Sequence, residues 1–333
     1  MLPMKLNPIR FFLRYRSQSL WNKQKKYKVK DDMKEAVISN NKQSFYKRHR
    51  DGILAFALLG IPILWWVFLS AFPLVFGMGL GFCEWTNVYE APKFVGLKNF
   101  IAFFQNEYYW MSLVRTIYIG GLCFIVQMVL GLALAVALNK IQFMKGFFRS
   151  VWYIPVITST VATSQIFQIM LDPYQGVLNN VLISMGKDPV MWNLDYEWSV
   201  FWIVFYTTWK GLGGNVLMWL AALQSVDSSV QEAAEIDGAG KWTMFFKITL
   251  PQMAPIAIYI LINGFIGAMQ IYEQVLFITN GGPSGQTAVL AYRIMRLAFW
   301  DNNYGMAGAC SVIMLLITFV FTLLVFRKQK EEV

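Results

Sequence analysis

SSVQEAAEIDGAGKWTMFFKITLPQMAP, residues 228–255, is polar and patterned as a helix–turn–helix, yet it lies between two long apolar segments. Ser229 followed three residues later by Glu232 fits a capping box, the hydroxyl accepting a free backbone N–H and the glutamate reaching back. The spacing predicts a first helix running to about Asp237. Gly238, without a Cβ, then permits a chain reversal. A second short helix over KWTMFFKIT carries Trp242, Phe245, Phe246 and Ile248 as an apolar ridge bordered by Lys241 and Lys247. Pro251 and Pro255 mark the return to apolar sequence, because proline suits the first turn of a helix and not its interior. Ala233, Ala234 and Ala239 are small enough for a partner to approach the backbone. A short amphipathic helix of this kind can sit in another protein's groove. It could also fold back on its own bundle or lie on the bilayer interface.

The flanking composition sets the class. The chain has 333 residues, of which 56% are hydrophobic and only 14% charged, with a mean hydropathy of +0.44. A soluble domain carries about 25% charged residues, so this chain is built to meet lipid. The net charge of +10 is a property of one end. Residues 1–50 hold 14 Lys/Arg against 3 Asp/Glu, and the remaining chain is nearly neutral. A basic tail outside any folded reading module is a poor nucleic-acid binder and suits anionic lipid headgroups. Within it, NPIRFFLRYRSQSLW mixes aromatics with arginines, as a helix lying on headgroups would; a plain basic tail is the alternative. Cys83, Cys123 and Cys310 have no metal-binding spacing and read as packing residues, and His49 has no partner nearby. No metal and no cofactor are expected.

A bilayer core of about 30 Å needs roughly 20 apolar residues in a helix. Six runs qualify, near 53–77, 114–138, 150–171, 199–224, 254–278 and 305–326. The expected architecture is an all-α membrane protein of six transmembrane helices. A basic cytoplasmic tail of residues 1–50 precedes a membrane domain of residues 51–333. Lys/Arg counts place both termini in the cytoplasm: the tail, the loop with Lys140, Lys145 and Arg149, and the end with Arg327, Lys328 and Lys330 agree. The opening hairpin, 228–251, then also falls inside. No cleavable signal peptide is expected, because a long polar tail precedes the first apolar run.

The hairpin now acquires a likeness. E-A-A, a glycine four residues after the second alanine, and I-x-L-P ten residues further on are met here by Glu232, Ala233, Ala234, Gly238, Ile248, Leu250 and Pro251. This resembles the cytoplasmic signature of binding-protein-dependent ABC importer permeases. FVGLKNF at 94–100, WYIPVITSTV at 152–161 and TNGGPSGQT at 279–287 are similar to the carbohydrate-uptake branch of that family. The resemblance covers roughly residues 53–326. It implies a type I ABC importer permease-like bundle in a bacterial cytoplasmic membrane, crossing it several times. The hairpin would be the coupling helix, with Asp237 beside its corner, docked in a groove of a separate ATPase subunit. The implied partners are two ATP-binding subunits, a second similar permease, an extracytoplasmic solute-binding protein and a sugar, alongside membrane lipids and without nucleic acid. The chain itself would not be an enzyme. It lacks the G-x-x-x-x-G-K-[ST] phosphate cradle, so ATP hydrolysis would fall to a partner.

Polar groups inside apolar runs are costly and turn toward a bundle interior or a cavity. Trp209, Lys210 and Asn215 in the fourth run, with Asn263, Gln270 and Glu273 in the fifth, could supply the amides and the aromatic face that a sugar needs. In permeases of the resembling branch these two helices line the pathway. Interhelical hydrogen bonding is the competing role for each amide. Lys210 and Glu273 could be partners across the bundle or gate residues, and as a proton relay they would serve a secondary transporter instead. Gly211, Gly213 and Gly214 allow a kink or a close backbone approach. Asn280-Gly281-Gly282-Pro283 is a turn that at least ends the fifth run.

Overall fold

The structure, a computed structural model, describes residues 58–141 and 145–331. The basic tail, His49 and the first residues of the first apolar run lie outside the described residues. The chain divides into two compact units, residues 1–74 and 75–333. Of the first, residues 58–74 are helical and open along their side chains. They belong to helix α1, Leu58–Leu80, which contains a wide π-helical turn at Val67–Ala71.

The second unit is predominantly helical. After α1 a minute antiparallel pair, β1 Cys83–Glu84 and β2 Lys93–Phe94, departs from the all-α expectation. Lys98 joins Glu84 across it at 2.8 Å. Helix α2, Lys98–Gln105, leads to α3, Glu107–Lys140, which Asn106 caps by accepting the Tyr108 N–H. The third apolar run is two helices, α4 Lys145–Ile157 and α5 Thr160–Met170. Helix α6, Val177–Ser184, sits in the following loop, and α7, Tyr196–Gln224, is a single helix of 29 residues. The hairpin helices are α8 Ser228–Ile236 and α9 Lys241–Gln252. Helix α10, Ala254–Met269, follows at a bend of 77°. A wide turn at Val275–Thr279, helix α11 Leu290–Phe299 and helix α12 Tyr304–Glu331 complete the chain.

Among the described residues, three helices are long and apolar enough to cross a membrane: Leu58–Leu80, Glu107–Lys140 and Tyr304–Lys328. The bent pair α9–α10 makes a fourth if counted as one span. The third and fifth apolar runs are interrupted where continuous helices were expected. Ser159 adopts an extended backbone and accepts the Ala162 N–H, so it starts a new helix in mid-run. The fifth run stops at Met269, and residues 270–272 are irregular before the turn at 275–279.

Helix α7 is the organising element, with its largest contact against α3. Met128, Ala135 and Leu138 of α3 meet Val216, Trp219 and Leu220 of α7 and Ala257 and Ile260 of α10 in one core cluster. Small residues bring other backbones together. A Cβ on Gly81 would lie 2.9 Å from the Ala309 nitrogen, so the end of α1 crosses the start of α12 with almost no space. The segment at residues 280–293 is tied to this frame. Thr116 Oγ1 accepts the Leu290 N–H at 2.7 Å, and the Tyr292 hydroxyl donates to the Asn280 carbonyl at 3.1 Å. Asn280 takes a left-handed backbone that ends the wide turn, as its turn sequence requires. Arg293 is buried over the Tyr108 ring, 3.3 Å from its centroid. Burial first, then the charge of Arg296, lowers its guanidinium to about 10, which leaves it charged at neutral pH.

Candidate functional site: a charged hairpin and a broken span

The hairpin has the two helices expected, but a different residue opens it. Asp227 accepts the Ser229 N–H at 2.9 Å, and no bond joins Ser229 to Glu232. A carboxylate is the stronger cap than a hydroxyl, and it takes the N-cap position one residue ahead of the helix. The Ser229 backbone bond, then the Ser229 side chain, holds the Asp227 carboxyl below the ordinary carboxylate range. At the other end Asp237 is the C-cap, Gly238 has φ +80°, and two reversed bonds close the helix: Gly238 N–H to Glu235 O at 3.0 Å and Ala239 N–H to Ala234 O at 2.9 Å. This pair of bonds around a left-handed glycine is the Schellman motif.

Ala234 is buried, because α8 packs onto the wide turn Met244–Thr249 within α9. Ala233, Glu232, Glu235 and Asp237 are open. The surface so presented is ordered and apolar at its centre. Ile236 is 86% exposed and Trp242 77%, and the Trp242 and Phe246 rings stack at 5.9 Å with 11° between planes. Ile248 and Leu250 are half-buried and Pro251 is exposed in the last turn of α9. The chain then bends around Met253, which is wholly buried.

The pathway candidates are spread over three environments. Trp209 packs on Phe167 and Tyr206, with centroids 5.7 and 5.9 Å away, facing α5. Lys210 is buried and turned toward the break between α4 and α5. Its Nζ donates to the Pro155 carbonyl at 2.7 Å, to Thr158 Oγ1 at 3.1 Å and to the Thr158 carbonyl. Among the described residues no ion pair joins it to an acid, Glu273 included. Asn215 is buried against α3, its Nδ2 3.7 Å from Met128 Sδ and its Oδ1 without a hydrogen-bond partner among the described residues. Asn263 on α10 and Gln270 just past its end are exposed, with Asn263 Nδ2 donating to the Tyr259 carbonyl at 2.9 Å. Glu273 is half-buried beyond the break, accepting weakly from the Tyr272 hydroxyl at 3.4 Å.

Several participants are not singled out by residue type. Tyr206 holds the first turn of α5, its hydroxyl 2.6 Å from Thr163 Oγ1 and 3.1 Å from the Thr160 carbonyl. Gly213 realises the close approach that the glycine-rich stretch suggests. A Cβ there would stand 2.0 Å from the Trp152 carbonyl oxygen. Gly131 is the floor under Asn215, where a Cβ would meet Oδ1 at 1.8 Å, and Gly211 does the same for the Gln127 amide at 2.0 Å. Tyr259, four residues before Asn263, extends the exposed polar stripe on α10.

Known proteins share this architecture. Residues 127–329 match the family described as binding-protein-dependent transport system inner membrane component. The lactose transport system permease protein LacF of Rhizobium radiobacter is 31% identical over 247 residues, 72% of this chain and 82% of the relative. The sn-glycerol-3-phosphate transport system permease protein UgpA of Agrobacterium fabrum is 32% identical over 246 residues, 73% and 83% of the two chains. A chain in the crystal structure of a bacterial alginate ABC transporter, in complex with an alginate pentasaccharide-bound periplasmic protein, superposes with a TM-score of 0.70 at 26% identity, covering 84% of this chain and 95% of that one. With the matched family spanning more than half its length and both curated relatives above 30% identity, the chain belongs to the inner membrane components of binding-protein-dependent transport systems.

Proposed function

We propose that this chain is a membrane-spanning permease subunit of an ATP-driven importer for a sugar or oligosaccharide. Six crossings with both termini in the cytoplasm would put the 228–251 hairpin on the inner face, where a separate ATPase subunit can reach it. The observation that carries the reading is the hairpin itself. It is capped at both ends, held by Gly238, and presents Trp242, Phe246 and Ile236 outward although they are apolar. A preformed helix with exposed apolar anchors is a docking element, and this one is continuous with α10 through a single bend. Movement of a docked partner would therefore reach the membrane directly.

The exposed stripe of Tyr259 and Asn263 on α10, with Gln270 just past its end, supports a pathway at that face. Polar groups cannot be left against hydrocarbon, so in the assembled transporter this stripe meets a second permease subunit or the solute's route. The relatives' substrates, lactose and sn-glycerol-3-phosphate, together with the alginate system, support a hydroxyl-rich solute. Selection among such solutes would rest with an extracytoplasmic binding protein, and alternating access would follow the nucleotide state of the ATPase pair. A proton-driven secondary transporter with Lys210 and Glu273 as relay is less well supported, since the Lys210 ammonium is hydrogen-bonded to carbonyl oxygens, while Glu273 acts on it through charge without a hydrogen bond or ion pair among the described residues.

The test is reconstitution with candidate ATPase, permease and binding-protein partners. ATP hydrolysis is expected to rise only with binding protein loaded with its sugar, and a single cysteine at Trp242 should crosslink to the ATPase. Solute uptake by this chain without any ATPase would overturn the reading.

A further inference from the structure

Lys210 is a buried charge for which the transport reading has no task. It sits in the middle of α7, and what surrounds its ammonium is oxygen. Helix α4 ends at Ile157 in mid-run, so its last carbonyls have no helical N–H to accept. They also form the negative end of a helix dipole. An ammonium offers three N–H donors, and three acceptors stand around this one: the Pro155 carbonyl, the Thr158 carbonyl and Thr158 Oγ1. Thr158 Oγ1 in turn donates to the Pro155 carbonyl at 2.7 Å, so the acceptors are tied to one another.

We propose that the end of α4 is a monovalent-cation site, built from Pro155 O, Thr158 O and Thr158 Oγ1, whose occupant is the chain's own Lys210 ammonium. Broken helices in other membrane transporters place free carbonyls around a coupling ion, and rings of carbonyl oxygen replace the hydration shell of such ions. Here the charge is delivered by a side chain from the neighbouring helix. Two further contacts fix its approach. Gly213, one turn along α7, lets the Trp152 carbonyl come against the α7 backbone, and Tyr206, one turn the other way, holds the start of α5. The single helix α7 thus grips both halves of the broken span, with the tethered cation at the joint. Lys210 is a positioning residue for transport and contacts no solute.

The test is chemical rescue in the full transporter. Lys210→Ala empties the site and is expected to lower solute uptake by about tenfold or more, the usual consequence of stranding acceptors of a charged group. Methylammonium, with three N–H donors, should restore uptake, whereas tetramethylammonium, with the same charge and no N–H, should not. Wild-type uptake by Lys210→Ala, or equal responses to the two cations, would overturn the proposal. The uptake arm rests on the importer reading, but a second arm does not. The thermal transition of the purified full-length chain should fall in Lys210→Ala and rise again with methylammonium chloride only. If the alanine variant does not assemble, Lys210→Gln, which keeps donors without charge, should melt below wild type and uptake should fall; a wild-type transition there would equally overturn the assignment. Loss of uptake in the wild-type chain with the thermal difference intact would refute the importer and leave the cation site standing.

Discussion

Gly238 offers the sharpest test of the hairpin. Its φ of +80° lies in the left-handed region, and an added Cβ would meet nothing within 4 Å. Any penalty on Gly238→Ala therefore comes from the backbone alone. Left-handed geometry costs an L-residue with a Cβ about 1–2 kcal/mol, and asparagine is the best tolerated exception. Proline does more: its φ is fixed near −65°, and it removes the Gly238 N–H that bonds to Glu235 O, worth about 0.5–1.5 kcal/mol. If docking requires the closed hairpin and the free hairpin is predominantly open, these penalties appear in full as weaker coupling. Alanine should then weaken ATPase association about five- to thirtyfold, asparagine less, and proline most, enough to abolish uptake. The assay is a titration of ATPase subunit against permease in detergent or nanodiscs, read by retained ATP hydrolysis and by solute uptake. The required order is Gly, Asn, Ala, Pro. Alanine indistinguishable from glycine, or asparagine worse than alanine, would show that the corner's conformation is not what the partner reads.

Asp227→Ala should loosen the start of the hairpin by losing its cap, seen as faster amide exchange across residues 228–232. Because the folded Asp227 carboxyl is lowered, its contribution is complete above the unfolded value of about 3.9 and disappears as pH falls through the folded one; hairpin protection should be flat from neutral pH to about 5 and drop only in stronger acid. Gly213→Ala should separate α4 from α7, because the Cβ would meet backbone that cannot yield, and it should lower the thermal transition more than Gly214→Ala, where space is open. Asn263→Leu or Gln270→Leu should change uptake while ATPase docking is unaffected; loss of assembly would make the stripe a subunit contact instead.

The hairpin was legible because its signals are local. A glycine with its reversal, two prolines at re-entry and an aromatic cluster all act within a few residues of themselves, and the structure follows them. The capping box fails as a signal because Asp227, one residue before Ser228, takes the N-cap position and its carboxylate outcompetes the serine. The broken third run was illegible for a different reason. Residues 150–171 carry no charge, so hydropathy reads straight through Thr158 and Ser159, and only the local bonds of Ser159 and the approach of Lys210, 52 residues away, mark the break. Lys210 reads as a pathway residue because a lone intramembrane charge advertises function, while the two carbonyls and the Thr158 hydroxyl that hold its ammonium lie 52 and 55 residues away, on a segment that the sequence does not place beside it. Asn215 is similar: the glycine beneath it, Gly131, lies on another helix.

The notch at Gly213 also limits how the bundle can move. With the Trp152 oxygen seated where a side chain would be, α4 cannot slip along α7 by one helical pitch of about 5.4 Å. Such a slide would bring that oxygen against Trp209 or Leu217, which carry side chains where Gly213 has none. Under the proposed transport cycle the two helices would swing as one lever, and flexing would fall to the joints at Thr158–Ser159 and Gln270–Tyr272.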